Sequence, residues 1–239
     1  MRLIRNPGRV AGLWYLLLVL IGPFTLIYVP NKIFVSGDAA ATANNLFAHE
    51  QLFRLGIESN LVAGVVTVML TMAFYRLFTG VDRQLAALVV ILGGVMPGLL
   101  FFTGAVFDLG ALTAALTTAK GGDFLNIFDP AQRAALAMLM LKLRSAQDTA
   151  AELLWGVWLF PLATLVYRSR FLPRFLGWWL ALDGVAYSAL SVIGVMWPGY
   201  HGTFFKYAQP AFFAEVVLML WLVIRGATPH PAALCHPSG

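Results

Sequence analysis

Five carboxylates, Glu58, Asp108, Asp148, Glu152 and Glu215, interrupt or border long apolar runs. Arg54 stands four residues before Glu58, Arg144 four before Asp148, and Asp148 four before Glu152, so each pair shares a face if the segment is helical. A charge near the centre of a bilayer costs about 2.5–3.5 kcal/mol even on the lenient insertion scale, which makes such residues candidates for binding, proton relay or helix pairing. Carboxylates crowded in a low dielectric repel, and a shared proton or a bound cation relieves the repulsion. The reading adopted is a pocket lined by Glu58, Glu152 and Glu215, with Arg54 and Asp148 at its edge, open to the outer side and able to bind or move a small solute or cation. The plainer alternative leaves Asp108 and Asp148 at the water interface, and makes Arg54–Glu58 and Arg144–Asp148 ordinary helical pairs.

A second polar feature is the recurrence of Asp183, Tyr187 and Ser191 every four residues. This stripe cannot face lipid, and it reads either as helix packing or as an inner polar station at Asp183 and Tyr187. Small residues at Gly177, Ala181, Gly184 and Ser188 permit close helix approach. His49 and His201 read as outer-loop residues, and with the outer carboxylates they leave a zinc site geometrically open but its metal undefined. His230, Cys235 and His236 lie in a Pro-containing tail. The sequence contains no HExxH, GxSxG, P-loop or CxxC pattern, so it displays no familiar catalytic signature and implies no cofactor. One cysteine excludes an internal disulfide framework.

These residues must be positioned by helices. Of 239 residues 60% are hydrophobic and only 11% charged, against a charged fraction of roughly 25% in soluble domains. Apolar runs at 10–29, 57–78, 85–109, 149–167, 175–197 and 208–224 match the roughly 20 residues that a spanning helix needs. The expected fold is therefore an all-α polytopic membrane protein with six transmembrane helices. A short amphipathic helix over 131–144 lies at the surface, leads into span four, or re-enters the membrane. Residues 1–225 form one transmembrane domain, and 226–239 a disordered cytoplasmic tail. The run after Arg2, Arg5 and Arg9 is too long for a signal peptide, although Ala39, Ala40 and Ala41 resemble a small-residue cleavage site.

Six spans put both termini on one side. That side carries nine basic residues against Asp82 alone, a balance of +8, while the remaining seven basic and ten acidic residues give −3, and the two recover the net charge of +5. Positive charge is retained on the cytoplasmic face, so both termini are expected there. The excess of arginine is explained by the lipid bilayer and implies no nucleic-acid partner. Oligomeric state is not encoded in any pattern.

The stretch Leu153–Pro198 contains YRSRFLPRFLG, from Tyr167 to Gly177, followed by a small-residue helix with Gly184 and Tyr187. With RVAGLWYLLL near the start, FRLGIESNLV at the entry to span two and YRLF before VDRQLA, most of the chain resembles the bacterial domain of unknown function 4386 family. The resemblance implies a six-span protein of the bacterial inner membrane, and it carries over no catalytic residue. That family admits an acidic residue near Asn60, where this chain has an amide, which weakens a proton-exchanging role at position 60. Two other function classes stay open: an accessory or lipid-organising protein, and an intramembrane enzyme acting on a lipid-linked substrate.

Overall fold

The computed structural model describes residues 6–120 and 124–228. All its regular elements are helical, and six helices are long and apolar enough to cross a membrane. They are α1 (Pro7–Ile33), α3 (Glu50–Phe78), α4 (Arg83–Thr118), the span Pro130–Arg168, α7 (Arg174–Met196) and α8 (Pro198–Ile224), with the short helix α2 (Ala39–Ala48) between the first two. The fourth span comprises α5 (Pro130–Val157) and α6 (Leu159–Arg168), which meet at Trp158. The stretch 131–144 leads into span four without a break and does not stand as a separate helix.

Local chemistry explains the boundaries. Asp38 accepts a hydrogen bond from the Ala41 amide at 2.8 Å and so caps α2. The three alanines that resembled a cleavage site are its first turn. Asp82 caps α4 by accepting from the amides of Gln84 and Leu85, and the Arg168 guanidinium donates to the same carboxylate at 3.3 Å. Between α6 and α7, Arg170 takes a left-handed φ of 59°. Pro198 opens α8, where its missing N–H is no loss. Residues 198–207, expected to be an outer loop, are thus the first turns of α8. Two π-helical turns, Phe24–Tyr28 in α1 and Ile91–Val95 in α4, interrupt the regular pattern.

The chain divides into two compact units, and α1, α3, α4 and α5 each contribute a segment to both. The first comprises Met1–Val19, Val65–Gly98 and Thr149–Gly239. Its core is built from Tyr15, Leu70, Phe74, Leu159, Leu180 and Leu218 with their neighbours. Lipid is as apolar as leucine, so close packing must hold such helices together. Gly156 shows how: a Cβ there would stand 2.6 Å from the Gly184 carbonyl oxygen, so α5 and α7 touch backbone to backbone. This accounts for the small residues of α7 as packing. The second unit, Leu20–Gly64 and Leu99–Asp148, has its own core around Ile33, Leu46, Phe53, Ala111 and Leu112.

Candidate functional site

In the first unit, α7 and α8 run antiparallel from the sharp corner at Trp197. Two contacts fix their register: the Trp179 indole N–H donates to the Pro210 carbonyl at 3.0 Å, and the Tyr187 and Phe212 rings lie 4.4 Å apart. Asp183 sits between these levels, fully buried, and neither carboxyl oxygen has a hydrogen-bond partner among the described residues. Glu215 of α8 is an acidic residue within electrostatic range of it. The buried Tyr15 of α1 donates its phenolic hydrogen to Oε2 of Glu215 at 2.6 Å.

The array continues towards the start of α8. Tyr187 lies within electrostatic range of Glu215, Asp183 and Glu152, and it packs edge-on to Trp155 at 6.2 Å. Glu152 of α5 is buried, and both its oxygens lie 3.0 Å from Nε2 of His201. Tyr15, Glu215, Asp183, Tyr187, Glu152 and His201 therefore form one polar array contributed by four helices. Along α8 the distance from His201 to Glu215 is roughly 21 Å at about 1.5 Å per residue.

The sequence-derived residues are redistributed by this geometry. Glu152 and Glu215 belong to the array together with Asp183 and Tyr187, so the outer set and the inner station share one unit. Glu58 belongs to the second unit, where its side chain is exposed. Arg54 does not pair with Glu58. Its Nε and a terminal nitrogen each lie 2.9 Å from Oε1 of Glu50, one turn earlier. Asp148 is joined to Arg144, as its spacing suggested. Asp108, however, is buried rather than interfacial, with Oδ2 3.5 Å from Arg144 Nε. Gly104 makes room for this guanidinium, because a Cβ there would stand 2.7 Å from Nε. Beside this clamp the Gln147 amide donates to the Leu100 carbonyl at 2.7 Å and accepts from Thr103 at 3.2 Å, which ties α5 to α4 again.

His201, expected in a loop, is a helical residue paired with Glu152. No group of three or more His, Cys, Asp and Glu able to hold a metal is assembled among the described residues, so the zinc arrangement is not formed there. His230, Cys235 and His236, with the expected disordered tail, lie outside the described residues apart from 226–228. An open groove of about 420 Å³ between the end of α7 and the start of α8 is lined by Ile193, Trp197, Tyr200, Thr203, Phe204 and Tyr207. Aromatic side chains at a helix end fit an interfacial belt.

A family model described as domain of unknown function (DUF4386) matches residues 10–226. The chain belongs to the DUF4386 family. No match was found among curated proteins, and none among solved structures. The matched region of this DUF4386 chain contains the whole array and the Arg144 clamp. Tyr15 is the member of the array not singled out from the sequence, because a phenol in an apolar run reads as core, and the pairing of Glu152 with His201, 49 residues apart, follows no spacing rule.

Proposed function

We propose that this DUF4386 protein is a multi-pass protein of the bacterial inner membrane that binds, and moves, a small solute or cation at the polar array of its first unit. The observation that carries the reading is Asp183. A buried carboxyl without hydrogen bonds destabilises the fold unless something else pairs with it. A carboxyl retained in that condition beside Glu215, among four membrane helices, has the character of an ion station. Tyr15 and Tyr187 supply hydroxyls around it, and Glu152 with His201 supplies a second carboxylate nearer the start of α8. Glu58 is not assigned to this site.

The test is a screen of alkali and divalent cations, small amines and pH by the melting temperature of the detergent-purified protein. A ligand that binds only the folded state at about 100 times its Kd adds about 2.7 kcal/mol of stability. At least one member of the screen is expected to raise the melting temperature. Asp183→Asn and Glu215→Gln should fold and lose the shift, and Glu58→Gln should keep it. If no ligand acts, or if the array variants respond like the parent, the polar residues serve packing and the accessory-protein reading takes over.

Both termini are assigned to the cytoplasm on the charge balance of the connecting segments. Cys235 is the only thiol and reports this directly. A membrane-impermeant maleimide should leave intact cells unlabelled and react after permeabilisation. Labelling of intact cells would reverse the orientation.

A further inference from the structure

Arg168 donates to Asp82, the residue that caps α4, so α4 and the fourth span meet one edge of the membrane at the same level. From there α4 runs for 36 residues and the fourth span for 39. These are lengths of about 54 and 59 Å, whereas the hydrocarbon of a bilayer is about 30 Å thick, and a 20° tilt adds only about 2 Å to the crossing. Val106 and Leu109 stand about 35 and 39 Å along α4 from Arg83, and Leu143 and Leu139 about 38 and 44 Å from Arg168. All four lie past the acyl chains, at the level of the Arg144 clamp and beyond. Yet Val106 is 67% exposed, Leu109 45%, Leu143 39% and Leu139 48%. Lipid tails do not reach apolar side chains at that level, and an uncovered apolar patch there marks a protein contact.

On α4 these residues belong to a seam. After the π-helical turn at Ile91–Val95, the exposed positions Leu99, Phe102, Val106, Leu109 and Thr113 alternate spacings of three and four residues. That is the 3.5-residue repeat that winds two parallel helices into a left-handed pair. In the sequence the repeat is hidden within a uniformly apolar span, and the exposures isolate it. The opposite face of α4, with Ala105, Asp108, Ala111 and Leu112, is buried.

We propose that this face is the interface with a second copy of the same chain, the two α4 helices lying parallel about a two-fold axis along the membrane normal. Copies inserted in one orientation form a closed pair only about such an axis, which sets each seam residue against itself. A two-fold axis also sets like charge against like charge. Asp108 is the only charged residue between Gln84 and Thr118, and it is turned away towards Arg144, so the seam carries nothing that repels its own copy. Val106 and Leu109 occupy successive seam positions, and a β-branched residue followed by leucine is the pattern that favours two strands. Leu99, Phe102, Val106 and Leu109, with Leu139 and Leu143 of α5, together expose about 600 Å² per copy, so a pair would bury about 1,200 Å², the lower bound of specific interfaces. The interface is separate from the polar array of the first unit and does not depend on it.

The experiment is cysteine cross-linking in native membranes. Cys235→Ser removes the single native thiol, and Val106→Cys or Leu109→Cys in that background places one cysteine on the seam. Oxidation with copper phenanthroline should move either variant from 26.1 kDa to twice that mass, reversibly on reduction. Leu55→Cys, on the exposed side of α3 in the same unit, reports chance collision and should stay at the single-chain mass. In mild detergent, light scattering should find two chains per particle for the parent and one for Val106→Glu, which sets carboxylate against carboxylate, with the helical content by circular dichroism unchanged. If detergent separates the parent pair, the cross-link in membranes decides. Neither seam variant forming a dimer, or Leu55→Cys forming one as readily, would overturn the proposal. So would a two-chain particle that persists in Val106→Glu, or a cross-linked product in which mass spectrometry finds a different protein.

Discussion

Replacing Arg144 by methionine should cost about 3–5 kcal/mol of stability, the usual penalty for removing one partner of a buried ion pair. Arg144 is 11% exposed, and it faces Asp108 at 9% and Asp148 at 32%. Methionine fills the space of the side chain but leaves two carboxylates without their cation in the second unit. The loss is therefore a charge effect and should be reversible by removing charge. Arg144→Met with Asp108→Asn and Asp148→Asn should recover most of the stability, because well-packed neutral replacements of a buried charge cluster are often neutral or favourable. Denaturant or thermal unfolding in detergent measures both steps. A single variant as stable as the parent would mean that water or lipid headgroups, not Arg144, compensate these carboxylates.

Asp108 also shows what spacing cannot tell. Its position near the end of an apolar run fits an interface, and only the packing of α4 on α5, opened by Gly104, reveals that it is buried against Arg144. Arg54 shows the opposite, a signal present in the sequence. It has an acid one turn before it and another one turn after, and a glutamate N-terminal to its cation is the better helical orientation. The sequence reading paired Arg54 with Glu58 and overlooked this signal, and Glu50 is the partner found.

The helices themselves were legible, because six apolar runs of spanning length admit few other structures in a bilayer. Their ends were less so. Residues 198–207 contain two glycines, a histidine and a lysine and read as a loop, yet Pro198 starts a helix that continues into span six. That helix carries His201 to Glu152. The polar array was half legible: the four-residue recurrence on α7 marked Asp183 and Tyr187 as inward-facing, and the isolated acids marked Glu152 and Glu215. Their convergence depends on the antiparallel register of α7 and α8 and on the glycine contact of α5 with α7, which are tertiary facts. The helix-packing reading of the stripe would have Asp183 hydrogen-bond a neighbouring helix, and neither of its oxygens has such a partner among the described residues.

The central claim is that Asp183 is kept for its ion and not for the fold, and the stability of Asp183→Leu tests it most directly. A polar group buried without a hydrogen bond costs about 1–3 kcal/mol in protein mutational data, and leucine replaces it with apolar contacts without orphaning a neighbour. Asp183→Ala controls for the added volume, because overpacking carries a cost of its own. The measurement is equilibrium unfolding of parent, Asp183→Leu and Asp183→Ala in the same detergent, in buffer without the stabilising ligand. The account predicts that at least one variant is more stable than the parent by about 1–3 kcal/mol, as expected where a functional site is held at the expense of stability. Both variants less stable by that amount would contradict it, and would make Asp183 a structural residue.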